Sequence, residues 1–241
     1  MSLSKNHIKL IASLRQKKYR QKHKLFVAEG VKVVEELMSS SFEIEQLFAT
    51  QDYATDDKDI QLVPVSDVEL KKISELKSPN KVLGLFKIPR QAVVPNNGLI
   101  VALDDVNDPG NLGTIIRLCD WFGVSKLVCS LNTVDCYNQK VVQASMGSLS
   151  RVSMVYQDLI SFLKECELPT FIADMDGENV YTTQLPEEGV LIMGNEANGV
   201  SNQIRNIIDR KVAIPRFGTI QQTESLNVAT ATAILLSEFK R

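Results

Sequence analysis

From Gly98 onward the chain repeats one pattern: a short apolar run, a polar loop, then a helical stretch. The apolar runs are 99-LIVAL-103, 126-KLVCS-130, 170-TFIADM-175, 190-VLIMG-194 and 211-KVAIP-215. Near-continuous apolar strands alternating with helices predict an α/β fold, a mostly parallel sheet with helices on both faces. Ligands in that architecture bind at the carboxyl ends of the strands. Three loops leave strands at once and are rich in polar residues and glycine: 107-NDPGNLGTIIR-117, 194-GNEANGVS-201 and 216-RFGTIQQTESLN-227. No G-x-G-x-x-G follows a strand and no G-x-x-x-x-G-K-[ST] occurs, so the usual dinucleotide and P-loop devices are missing.

The first 90 residues have a different rhythm and read as a small α/β unit. Residues 6–21 are expected to be helical, 25-LFVAEG-30 begins a strand, 31-VKVVEELMSS-40 has helical spacing, and 44-IEQLFAT-50 and 82-VLGLFKI-88 are strands. In 66-SDVELKKISEL-76, Ser66 and Glu69 have the spacing of a capping box. The Pro- and Asn-rich stretch 89-PRQAVVPNNG-98 is the expected connector, which gives domains 1–90 and 98–241.

The 241 residues are 44% hydrophobic, enough to fill a core in each domain. Only two histidines occur, His7 and His23, both in the N-terminal segment, which excludes a His triad or His metal centre elsewhere; no metal is expected. Cys119, Cys129, Cys136 and Cys166 lack zinc-type pairing and are expected to be reduced and mostly buried. The start MSLSKNHIKL is polar, and the apolar runs fall well short of the roughly 18 residues of a membrane helix. A cytoplasmic protein without a membrane partner is expected.

The net charge of −2 conceals an asymmetry. Lys5, Lys9, Arg15, Lys17, Lys18, Arg20, Lys22 and Lys24 all precede the first acidic residue, Glu29. Such a segment is either a solvated helix face or the footprint of contact with a nucleic-acid backbone, and the lack of interleaved acids favours the second.

Within the loops, several residues have both a structural and a chemical reading. Asn111 is placed to cap a helix beginning near Leu112. Arg117, flanked by Ile115, Ile116, Leu118 and Trp121, is expected to be half-buried against an anion, a structural carboxylate or a substrate phosphate. Glu196 either accepts loop amides or faces a ligand. Ser225 is expected to cap the helix 226-LNVATATAILLSEF-239, leaving Asn227 in its first turn without an evident structural purpose.

The order of these segments carries more than any one of them. N-D-P-x-N-x-G-x-x-x-R after one strand, G-N-E-x-x-G-V-S after another, and I-P…S-L-N-V-A-x-A-x-A-I-L-L-x-E at the C-terminus resemble the three motifs of the SpoU/TrmH family, RNA ribose 2′-O-methyltransferases of the SPOUT superfamily. The stretch 143-QASMGSLSRVSM-154 is also similar to the family, and 16-QKKYRQKHKLFVAEGVKVVEEL-37 resembles its RNA substrate-binding domain.

The resemblance implies a trefoil-knotted C-terminal domain that binds S-adenosylmethionine largely through backbone groups, at positions matching Gly194, Ile214 and Leu226. It implies an active-site polar set of Asn111, Arg117, Glu196, Ser225 and Asn227, often completed across a homodimer interface. RNA is the implied partner, ribosomal rather than transfer RNA, with Lys5, Lys9, Arg15, Lys17, Lys18 and Arg20 as its N-terminal contacts. Set against the family it resembles, the loop RFGTIQQTE is expected to be longer than in many members. The alternatives are a non-catalytic RNA-binding protein that keeps the fold, a nucleotide-dependent doubly wound enzyme, and a base methyltransferase of the same superfamily.

Overall fold

The structure is a computed structural model that describes residues 3–55, 60, 62–90, 95–208, 210–219 and 225–241. The chain divides into two compact units, residues 1–91 with 135–150, and residues 92–134 with 151–241.

The first unit opens with α1 (Lys5–Ser13) and α2 (Lys17–His23). It continues through β1 (Leu25–Glu29), α3 (Val31–Met38), β2 (Ile44–Ala49), β3 (Leu62–Pro64), α4 (Asp67–Ile73) and β4 (Val82–Lys87). The sheet order is β1-β4-β2-β3, with β4 antiparallel to both neighbours and β3 parallel to β2. Ser66 caps α4 in the expected capping box with Glu69. One apolar layer joins Ile11 and Leu14 to Val27, Phe48, Leu70 and Leu85.

The helix expected over 6–21 is two helices, and Arg20 explains the break. Its Nη1 donates to the carbonyls of Leu14 (2.8 Å) and Arg15 (2.9 Å), beside the C-terminal end of α1. Carbonyls at a helix end have no partner within the helix, so a buried guanidinium can satisfy them. Nε and Nη2 of the same side chain donate to Asp135 Oδ2 at 2.9 and 2.6 Å. Arg20 is 3% exposed. The expectation that it contacts RNA is therefore corrected: its charge is spent inside the unit.

The second unit holds β5 (Leu99–Leu103), α5 (Pro109–Trp121) and β6 (Lys126–Cys129). The chain then passes through 135–150, which belong to the first unit although the sequence places them in the second domain. That segment carries α6 (Gln139–Ser145) and Tyr137, whose ring lies 4.9 Å from that of Phe26 in β1. Glu29, 3% exposed, accepts from the Gln139 side chain, from Ser74 Oγ and from the Glu75 amide. Burial pushes the Tyr137 phenol well above its ordinary pKa.

The rest of the second unit is β7 (Ser153–Tyr156), α7 (Leu159–Glu165), β8 (Thr170–Asn179), β9 (Gly189–Met193), α8 (Asn202–Arg205), β10 (Lys211–Ala213) and α9 (Val228–Phe239). The sheet order is β10-β8-β9-β5-β6-β7, and every pair is parallel, as the apolar runs predict. Strand β7 has no counterpart among those runs, because all four of its residues are only half-buried. One face packs Ile100, Ala102, Val128, Val190 and Ile192 against Leu159, Phe162 and Ile204 of α7 and α8. Helices α5 and α9 pack against each other. The four cysteines are thiols rather than disulfides, and all but Cys166 are buried. Among the described residues no helix is long and apolar enough to cross a membrane.

Arg20→Leu is expected to lower the stability of the first unit by about 3–5 kcal/mol, the cost of leaving one member of a buried ion pair unmatched. The exposed Lys22→Ala is expected to stay within about 0.5 kcal/mol. Urea unfolding followed by circular dichroism compares the two.

Candidate active site

Strands β5 and β9 are parallel neighbours with Leu103 opposite Met193, so their carboxyl-end loops, 104–108 and 194–201, leave the sheet side by side. This is the central crevice of the sheet, where the strand order runs outward from β5 in both directions.

The first loop is shaped by Asp105, whose φ of 57° places a non-glycine residue in the left-handed region. Aspartate tolerates that region better than most residues, and local hydrogen bonds hold it there. Its amide donates to Ser130 Oγ (3.0 Å), which donates to Asp105 Oδ1 (2.5 Å), while Asn132 Nδ2 donates to Oδ2 (3.2 Å). The loop ends at Asp108, whose Oδ1 accepts the Asn111 amide at 2.8 Å, and Pro109 follows at the first helical position. The N-cap of α5 is thus Asp108, not Asn111 as the sequence suggested. Pro109 supplies the preset φ of a first helical residue, which moves the cap upstream.

Relieved of capping, the Asn111 side chain bridges two other elements. Its Nδ2 donates to Glu196 Oε1 at 2.9 Å, and its Oδ1 accepts from Asn227 Nδ2 at 2.9 Å. Asn227 is the N-cap of α9, its Oδ1 accepting from the amides of Ala229 (3.0 Å) and Thr230 (3.2 Å). Ser225, the expected cap, is exposed and lies outside this network. The backbone amides of α9 fix which end of the Asn227 amide points inward, and the carboxylate of Glu196 accepts only; the orientation of Asn111 follows from both.

The second loop is closed by an antiparallel bridge, Asn195 N to Gly199 O (3.0 Å) and Gly199 N to Asn195 O (2.9 Å). A Cβ on Gly194 would lie 2.2 Å from Gly199 C and Val200 N, so only glycine fits where the chain doubles back. Glu196 sits exposed at the turn.

Arg117 is not part of the Asn227–Asn111–Glu196 chain. Six residues along α5, it lies about 120° around the helix from Asn111. It is exposed, without a hydrogen bond or ion pair to another described residue, which corrects the expectation of a half-buried, partnered arginine. Its face of α5 also carries Trp121, which is 84% exposed. The apolar neighbours Ile115 and Ile116 are buried on the opposite side.

Gly194, Ile214 and Leu226 lie at the ends of β9 and β10 and just before α9. Leu226 is 49% exposed, and no backbone hydrogen bond joins Ile214 or Leu226 to another described residue. Residues 220–224, most of the longer loop noted in the sequence, lie outside the described residues. In the first unit Lys5, Lys9, Lys17 and Lys18 are exposed, and Arg15 is exposed but paired with Glu75 at 2.8 Å. Among the described residues no group of three or more His, Cys, Asp or Glu side chains is placed to hold a metal. Sequence reasoning missed Asp105, Asp108 and Asn195; the Asn-Asp-Pro run was the available signal for an Asp cap.

Comparison with known proteins identifies relatives of both units. Residues 98–237 match the model of the SpoU rRNA Methylase family, and residues 5–84 match the MRM3-like substrate binding domain. The chain is 29% identical over 237 residues to 23S rRNA (guanosine(2553)-2'-O)-methyltransferase RlmP of Bacillus subtilis, covering 92% of this chain and 91% of that one. A TrmH-family protein of Porphyromonas gingivalis superposes with a TM-score of 0.89 at 34% identity, covering 99% and 98% of the two chains. An AdoMet-bound rRNA methyltransferase of Sinorhizobium meliloti superposes with a TM-score of 0.86 at 28% identity, covering 100% and 96%. Asn111, Glu196 and Asn227 all fall inside the matched region, and the chain belongs to the SpoU rRNA Methylase family.

Proposed function

We propose that this protein transfers a methyl group from S-adenosylmethionine to a ribose 2′-hydroxyl of RNA, with ribosomal rather than transfer RNA as substrate. The observation that carries the reading is the Asn227–Asn111–Glu196 hydrogen-bond chain at the carboxyl edge of the parallel sheet, in a member of an rRNA methylase family. The named B. subtilis relative acts on a guanosine 2′-oxygen of 23S rRNA, and the S. meliloti relative binds AdoMet.

The residues at the expected cofactor positions fit such a ligand. Ile214 and Leu226 offer main-chain groups without described partners, and Leu226 offers exposed apolar surface; Gly194, whose Cβ position is filled by Gly199 and Val200 of its own loop, has main chain alone to offer. These three would hold the cofactor, which when bound supplies an electrophilic methyl carbon. A trefoil knot around that pocket belongs to the same reading.

The chain's own side chains then position the ribose. Glu196 Oε1 is occupied by Asn111, while Oε2 has no hydrogen-bond partner among the described residues and is available to a sugar hydroxyl. Arg117 would hold the phosphate beside the target ribose. A guanidinium is a fixed cation with donors only, so it anchors the phosphate and stabilises the developing alkoxide rather than accepting the proton. A phosphate oxygen or water takes that proton.

The separation of Arg117 from Asn111 within one chain fits a homodimer in which α5 faces a second copy. Exposed Trp121 on the Arg117 face supports this. Lys5, Lys9, Lys17 and Lys18 are the RNA contacts of the first unit in this reading, and the cytoplasm is the compartment proposed with it.

The test is transfer of labelled methyl from S-adenosylmethionine to RNA from a strain lacking the gene, followed by nucleoside analysis. Labelled 2′-O-methylnucleoside in the ribosomal fraction is the expected product; a labelled base or no labelled RNA refutes the assignment. Arg117→Lys is expected to slow single-turnover transfer on the order of 100-fold with unchanged cofactor affinity. Asn111→Ala is expected to abolish transfer with little change in melting temperature, because Asp108 caps α5; Asp108→Ala is expected to cost about 1 kcal/mol of stability. Replacing one phosphate-contacting lysine, such as Lys18→Ala, is expected to reduce the slope of log affinity against log salt by about 1.

A further inference from the structure

Glu196 stands at the exposed tip of a loop, and the bond from Asn111 alone would leave that tip free to swing. The adjoining residue restrains it. Asn195 Nδ2 donates to the Asp105 carbonyl at 2.7 Å, across from one site loop to the other. Its Oδ1 accepts from the amides of Ala197 (2.9 Å) and Asn198 (3.1 Å), winding the turn around Glu196. A second tie lies at the far end of the same loop, where the Ser201 amide donates to Oδ2 of Asp104, a side chain in a residue only 7% exposed.

The acceptor is as carefully held as the donor. The Asp105 carbonyl takes its direction from a backbone at φ 57°, a conformation that costs a non-glycine residue free energy and persists only where its surroundings enforce it. Ser130 and Asn132 enforce it here through the Asp105 carboxylate. Ser130 Oγ also lies 3.0 Å from Thr133 Oγ1, which donates to the Leu103 carbonyl at the end of β5. The strained residue is therefore fixed to the sheet, and Asn195 is fixed to the strained residue.

We infer that Asn195 is a positioning residue for methyl transfer: its hydrogen bond to the Asp105 carbonyl holds the 194–201 loop so that Glu196 meets Asn111 and presents its free oxygen to the ribose. The inference rests on the reading that Glu196 serves the reaction. Asn195 touches neither Glu196 nor the reacting atoms through its own side chain; it acts through the loop. Small misplacements of a positioned group are enough to cost on the order of 100-fold in rate.

The test is a double-mutant cycle on single-turnover transfer to unmodified ribosomal RNA at saturating S-adenosylmethionine, with Asn195→Asp and Glu196→Ala singly and together. Asn195→Asp is isosteric and keeps the acceptor for the two loop amides but loses the donor to Asp105. The expected result is a loss on the order of 100-fold for each single variant, no further loss in the double variant, and unchanged affinity for S-adenosylmethionine. Multiplicative losses, or a wild-type rate for Asn195→Asp, overturn the inference while the role of Glu196 stands. Weakened cofactor binding with an unchanged saturated rate also overturns it, assigning Asn195 to the cofactor instead. A wild-type rate for Glu196→Ala removes the underlying reading and the inference with it. Should the Asp form unfold, Asn195→Ser, which still accepts from the loop amides but is too short to reach Asp105, enters the same cycle.

Discussion

The arrangement depends first on the parallel pairing of β5 with β9. Both strands are buried along their whole length, and their register sets Leu103 against Met193. Both faces of these strands are covered, so the register is set by how their side chains pack on each face and by the polar residues that flank the two apolar runs. Two loops distant in sequence thus emerge at the same height. Asp104 N donating to Met193 O at 2.9 Å carries the pairing one residue past the strands, into the loops themselves. The third contributor, α9, is brought in by its packing along α5, which sets Asn227 beside Asn111.

Given that frame, the choice of asparagine at 227 has a physical explanation. Serine, threonine and aspartate cap helices as well, but an ionised aspartate has no donor and a hydroxyl is too short to span two elements. Asparagine caps α9 with its oxygen and still donates to Asn111 with its nitrogen. The same logic applies to Asn111, which must accept on one side and donate on the other. A relay of two amides ending on a carboxylate has one consistent set of donors and acceptors, so its members hold one another in a single orientation.

Sheet order aside, most of the second unit was legible in the sequence, because apolar runs between turn-rich loops leave few alternatives. The half-buried β7 was not, since it lacks the continuous apolar signal of its neighbours. Within the site, Asn111, Glu196 and Asn227 were found as residues, but the local reason for two of them was misjudged. Capping statistics favoured Asn111 and Ser225, whereas Pro109 and the tie to Asn111 select Asp108 and Asn227. Arg117 and Arg20 were misjudged in opposite directions. The first lies among apolar neighbours in sequence yet on the solvent side of its helix; the second lies in a basic run yet turns inward to Asp135, a partner 115 residues away that no local pattern reveals.

The pairing of Arg20 with Asp135 has a consequence for how such chains exchange parts. The first unit is discontinuous: Asp135, Tyr137 and Gln139 complete its interior, although they are encoded within the other half of the gene. A recombination crossover near residue 91 would bring a foreign amino-terminal unit together with a resident 135–150 segment shaped for the lost one, stranding the half-buried Asp135 carboxylate opposite whatever replaced Arg20. Viable chimaeras among relatives must therefore carry two separated stretches together, and substitutions at 20 and 135 are constrained to travel as a pair through descent.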